Sequence, residues 1–122
     1  MLVGSQEGIT AKDTVEAALK EIEMNMKGIV SGQSDTYEAG LAIWGRAFSL
    51  AGDSKDLMWP MWLIWGALTD WVEVKPNEAT TARESMLRAA REWLSLEQSP
   101  SERKDYFDRW LFDELGHERP GT

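Results

Sequence analysis

The segment DLMWPMWLIWGALTD constrains this chain more than any other. From Leu57 to Leu68 all twelve residues are apolar, Pro60 and Gly66 included. Crossing a bilayer takes about 20 such residues. The run lacks the polar alternation of a half-buried strand and the polar stripe of a surface helix. Proline is tolerated in the first turn of a helix and not in its middle. The spacing therefore predicts a helix over 60–73 after an irregular lead-in at 53–59. A helix apolar all round is a central one. This helix is the expected hub, with Leu63, Ile64, Leu68 and at least one of Trp62 and Trp65 inaccessible.

The rest of the chain supplies helices to surround it. Thr10 with Asp13 reads as a capping box, followed by a stripe of Val15, Ala18, Leu19, Ile22, Met26 and Ile29. This predicts a helix over 11–31, ended by Gly32. Glu16 and Glu23 each stand four residues before a lysine, a spacing that suits surface ion pairs. Asp35 and Glu38 cap a second helix ending near Gly52, with a predicted core face of Tyr37, Leu41, Trp44, Phe48 and Ala51. Gly40 and Gly45 lie inside it. Each costs helix propensity, which either close approach of a neighbour or a widened groove would explain. Asn77 is the expected cap of a fourth helix, 78–97, whose stripe is Ala82, Met86, Ala90, Trp93 and Leu94. Ser99, Pro100 and Glu102 then combine a cap, a first-turn proline and a glutamate at the third helical position. A fifth helix follows over 100–115, with Tyr106, Phe107, Trp110, Leu111 and Leu115 inward. The expected fold is all-α: a compact bundle of about five helices around the Trp-rich one. It forms one domain over 1–122, with its core at about 10–116 and frayed ends at 6–8 and 119–122.

Composition excludes more chemistry than it offers. There is no cysteine and a single histidine, so disulfides, thiolate sites and histidine clusters are out. His117 follows Gly116 in a polar tail and reads as a helix-end histidine. The Gly40–Gly45 spacing lacks the Lys-Ser/Thr of a phosphate loop, Arg46 standing in its place. The paired acids Asp105 and Asp108, and Asp70 and Glu73, lack any sign of the separated environments that acid–base catalysis needs. Asp105 stands four residues before Arg109, a spacing for a surface pair. No catalytic residue, metal site or cofactor is expected. The net charge of −8 is dispersed along the chain and argues against direct nucleic-acid binding. The N-terminus lacks the pattern of a secretory signal. With no membrane span, a cytoplasmic location is expected.

Seven tryptophans are the compositional oddity. Trp44, Trp93 and Trp110 fall on predicted core stripes. Trp59, Trp62, Trp65 and Trp71 exceed what one short helix can bury. Trp62 and Trp65 are helical neighbours, and Trp59 extends their row. A tryptophan row at a surface is the residue type of a binding hot spot. The candidate partner-binding set is Trp59, Trp62, Asp70, Trp71, Asp105, Tyr106 and Asp108, an exposed aromatic beside acids.

In size, acidity and lack of catalytic residues the chain is similar to stoichiometric inhibitors such as anti-CRISPR proteins, antitoxins and toxin-immunity proteins. That likeness of type implies a non-enzymatic protein that occupies a partner's functional surface, a basic and nucleic-acid-handling one. Acids would speed the encounter and aromatic anchors would slow dissociation. The alternative is a bundle that binds a small apolar ligand or lipid in a Trp-lined pocket formed by Met61, Trp62 and Trp65. Oligomeric state is open at this level.

Overall fold

The computed structural model describes residues 11–117. The predicted cap at Thr10 and the frayed ends at 6–8 and 119–122 lie outside the described residues. The protein is all-α, and no strand occurs among the described residues. Its helices are α1 (Ala11–Ser31), α2 (Thr36–Leu50), α3 (Met58–Val74), α4 (Ala79–Ser95) and α5 (Pro100–Asp108). A short 3₁₀ turn, Pro76–Glu78, leads into α4, and a π-helical segment, Arg109–Glu114, prolongs α5.

Local chemistry sets most of the boundaries. The Asp35 side chain accepts the Glu38 N–H at 2.9 Å, and Ser99 accepts the Glu102 N–H at 3.2 Å. Each satisfies a donor that a helix start would otherwise leave unpaired. The α3 helix starts two residues before the expected Pro60, because the Ser54 hydroxyl accepts the Met58 N–H and the Ser54 carbonyl accepts that of Trp59. Asn77 is not the cap of α4; it sits in the 3₁₀ turn, and α4 begins without a side-chain cap.

Four helices close a ring: α1 packs on α2 and α4, and α3 packs on the same two. The core joins Ile22 and Met26 of α1, Ile43 of α2, Ile64, Trp65 and Leu68 of α3, and Met86 and Trp93 of α4. The α5–π unit is fastened to one side of this ring. Trp93 is the rivet, its ring meeting Tyr106 edge-on at 5.2 Å and Phe107 at 5.3 Å. On the other side, Trp93 Nε1 donates to Glu23 of α1 at 2.8 Å. Glu23, expected to pair with Lys27, thus ties α1 to α4 instead.

Two expectations for the core fail, for related reasons. The buried residues of α2 are Ala39, Gly40, Ile43, Ala47 and Leu50. Of the predicted stripe, Ala51 is buried and Tyr37 and Leu41 are half-buried, but Trp44 and Phe48, about a quarter turn from the inner line, face out. Large side chains there would hold α2 off its neighbours. At Gly40 a Cβ would meet Thr69 Cγ2 at 3.0 Å and Met86 Sδ at 3.1 Å. Close approach, and not a widened groove, explains this glycine. Likewise α3 is central but buried on one side only. Ile64, Trp65 and Leu68 are inaccessible, whereas Leu63 is half-buried and lines open grooves with Trp62.

The π segment departs from the expected continuous helix to 115. The Leu115 N–H reaches the Trp110 carbonyl five residues back, at 3.0 Å. A clamp holds this wider turn to α4. Arg88 donates to Glu114 through both terminal guanidinium nitrogens, Nη2 at 2.9 Å and Nη1 at 3.1 Å. Arg109, expected to pair with Asp105, reaches Glu92 at 2.8 Å. Glu92 also accepts the Trp110 indole N–H at 3.0 Å.

Replacing Trp65 by alanine should cost about 3–5 kcal/mol in urea denaturation, and Trp62→Ala well under half of that. The clamp makes stability depend on pH. The hydrogen bond from Arg88 holds the Glu114 carboxyl below its ordinary value of 4.5. A lowered folded-state pKa stabilises above the unfolded value and is lost as pH falls through the folded one. Glu114→Gln should therefore cost about 0.5–1 kcal/mol at neutral pH. That difference from the wild type should vanish on acidification below the usual carboxylate range, as read from paired denaturation curves.

Candidate functional site

Turning the small stripe of α2 inward leaves its large apolar residues on the surface. Trp44 is 37% exposed and Phe48 is 56% exposed. They stack on each other with ring centroids 5.9 Å apart and planes 11° apart. Phe48 continues to Trp62 of α3 at 5.5 Å, and Trp62 to Trp59 at 5.0 Å. Trp59, at the far end, is 39% exposed. Four aromatic rings from two helices thus form one continuous row. Single exposed hydrophobics are ordinary, whereas these rings touch one another and form one connected patch.

The row is set in place from beneath. The Trp44 ring lies against Gly66, where a Cβ would fall 3.0 Å from both Cδ1 and Nε1. Gly66 therefore makes room for Trp44 to lie down on α3. Beside it runs a groove of about 480 Å³ between α2 and α3, walled by Leu41, Trp44, Trp62 and Leu63. Asp70 and Glu73, about two and three turns beyond Trp62 on α3, line the same groove. The Tyr37 hydroxyl donates to Glu73 at 2.5 Å. That bond, followed by desolvation and the charge of Glu73, raises the Tyr37 pKa above its usual 10.0. The phenol stays protonated and fixes the carboxylate at the groove.

A second cleft, of about 620 Å³, opens between the start of α3 and the α5–π unit. Leu57, Trp59, Pro60 and Leu63 form one wall, and Phe107, Leu111 and Phe112 the other. Its rim carries Lys55, Arg103, Lys104 and His117, with Asp56 and Asp108 among them. The Lys55 ammonium lies 5.2 Å from the Trp59 ring centroid.

The expected site residues are distributed unevenly over these features. Trp62 and Asp70 both line the α2–α3 groove, about two turns apart along α3. Trp59 joins the row and also walls the second cleft, where Lys55 lies over its ring and Asp108 is at the rim. Asp108 lies in the cation-rimmed cleft, paired with Lys104 at 2.7 Å, while Asp105 is exposed on α5. Trp71 is half-buried, its indole N–H held by Glu78 at 2.8 Å, apart from the aromatic row.

Tyr106, expected both on the inward face of the last helix and in the partner-binding set, lies in the core and not at the surface. It is 1% exposed, and its hydroxyl donates to the Ala89 carbonyl at 2.7 Å. Burial above all, then the nearby charge of Glu92, drives its pKa far above the ordinary range. It is a core residue because successive aromatics of α5, Tyr106 and Phe107, both pack on Trp93. The pocket expected from Met61, Trp62 and Trp65 does not form, because Met61 and Trp65 are fully buried in the core. The row joins Trp59 to Trp62, while Trp65 turns inward.

Trp44 and Phe48 were missed as surface residues because their spacing also fits a core stripe. A competing signal was present: Ala39, Ile43 and Ala47 recur at four-residue intervals beside Gly40. Small residues in such a line let helices approach closely, and choosing that line would have placed the aromatics outside. Comparison with protein-family models, curated proteins and solved structures finds nothing that matches this chain.

Proposed function

We propose that this protein is a non-enzymatic, stoichiometric binding protein that occupies the functional surface of a partner protein, in the manner of anti-CRISPR, antitoxin or immunity proteins. The observation that carries this reading is the exposed row Trp44–Phe48–Trp62–Trp59. Its residues are large enough for the core, yet the fold spends smaller ones there. Exposed tryptophan on rigid helices loses little conformational freedom on binding and fills partner pockets well.

Charge sets the kind of partner. With a net charge of −8, the protein is drawn to basic surfaces, such as those that handle nucleic acid, and is repelled by nucleic acid itself. Asp70 and Glu73 stand at the groove beside Trp44 and Trp62. In a complex, lysine or arginine of the partner would pair with these acids at the rim, while the rings fill the centre.

The test is quantitative capture of a partner from the cell that makes the protein, followed by purified binding kinetics. A one-to-one complex is expected. Trp44→Ala should weaken it by about 2 kcal/mol, roughly thirtyfold, with circular dichroism confirming that the variant is folded. Asp70→Asn should slow association and flatten its salt dependence. If Trp44→Ala retains the partner at full affinity, or if the row is covered by a second copy of this chain in solution, the reading is overturned.

A further inference from the structure

The α2–α3 groove has a direction. The two helices run antiparallel: Phe48 meets Trp62, Trp44 rests at Gly66, Gly40 faces Thr69 and Tyr37 is bonded to Glu73. The groove follows α3 from Trp62 to Glu73, about three turns or roughly 16 Å. One end is apolar, walled by Trp62 and Leu63, and the other carries Asp70 and Glu73. These two acids stand at i and i+3 and are neighbours on the helix surface. No lysine or arginine lines the groove, and its single basic side chain is His117.

The acids are not engaged by the protein's own cations. Asp70 is exposed and has no hydrogen bond or ion pair among the described residues. Glu73 accepts one bond, from the uncharged Tyr37 hydroxyl to Oε2, which leaves Oε1 open. The α5–π side differs, since Glu92, Glu114 and Asp108 each hold an arginine or a lysine there. Trp44 lies between the acids and the apolar end. Phe48 stacks on one face of its ring and is not a wall of the groove, so the opposite face is the one the groove offers. An aromatic face beside two open carboxylates attracts a cation through ring and charge together. A guanidinium can lie flat on an indole and still donate in its own plane to carboxylates, which a compact ammonium cannot do.

We infer that the partner inserts an arginine side chain into this groove. Its guanidinium lies on the free face of Trp44 and donates to Asp70 and Glu73. An apolar side chain of the same segment covers Trp62 and Leu63. This rests on the partner-binding reading and narrows it, from a basic surface in general to an arginine beside an apolar residue.

Butylguanidinium chloride carries the arginine head group on an alkyl stem. Titrated into the free protein at constant ionic strength, it tests the groove through the indole N–H signals of the ¹⁵N-labelled tryptophans. The Trp44 signal should shift and saturate. Butylammonium should bind roughly threefold more weakly or worse, and butanol should leave Trp44 unmoved at the same concentrations. Asp70→Asn combined with Glu73→Gln should weaken butylguanidinium about fivefold, with circular dichroism confirming the fold. In the complex, changing one arginine of the captured partner to lysine should weaken binding about tenfold, and most of that loss should disappear once Trp44 is alanine. An unmoved Trp44 signal, equal binding of butylguanidinium and butylammonium, insensitivity to the acid substitutions, or a partner with no such arginine would each overturn the inference. The partner-binding reading survives any of these if Trp44→Ala still weakens the complex. Full affinity of Trp44→Ala overturns that reading instead, whatever the probe does.

Discussion

α2 approaches α3 and α4 as closely as it does because position 40 has no side chain. A methyl group there would stand 3.0 Å from Thr69 Cγ2, 3.1 Å from Met86 Sδ and 3.5 Å from the Trp65 ring. Interiors pack at crystal-like density, so a contact this tight fixes the rotation of the helix that carries it. With Gly40 inward, Ile43 and Ala47 follow on the same face and Trp44 and Phe48 are carried out. That rotation brings Phe48 onto Trp62 to complete the aromatic row and forms the α2 wall of the groove.

Two apolar stripes on one helix are costly in different ways. The inner stripe buries little area per residue but brings three helices into contact. The outer stripe leaves aromatic surface in water, which stability alone would not select. Gly66 shows that the outer stripe is accommodated and not merely tolerated, since it clears the space in which the Trp44 ring rests. The α5–π unit is organised differently. It depends on Trp93 and on the Arg88–Glu114 and Arg109–Glu92 pairs. Its looser seating against the start of α3 leaves the cation-rimmed cleft.

Much of the fold was legible because its signals are local. The caps at Asp35 and Ser99, the stop near Gly32 and the stripes of α1 and α4 depend on residues within one or two turns. The rotation of α2 was not legible by the same means. Two stripes compete there, and hydrophobic size favours the wrong one; contact with α3 and α4 decides between them. The π segment was also hidden, because it arises from Trp110 and Leu111 both turning inward while Arg109 and Glu114 reach α4. For the site, Trp59, Trp62 and Asp70 were singled out on type and position, but the acids of α5 could not be placed relative to the row. Tyr106 was expected both on the inward face of the last helix and in the partner-binding set; the inward placement is the one the structure has, with the Ala89 carbonyl satisfying its hydroxyl inside.

The rotation of α2 is tested most directly by the relative stabilities of Gly40→Val and Phe48→Ala in urea denaturation. Valine and glycine differ little in helix propensity, so the first substitution reads the contact with Thr69, Met86 and Trp65. It should cost about 1–3 kcal/mol through overpacking. Phe48→Ala, removing an exposed ring, should cost less than about 1 kcal/mol. The reverse order, a tolerated valine and a loss near the 3–5 kcal/mol of a buried phenylalanine, would contradict an inward-facing small stripe and the aromatic surface it creates.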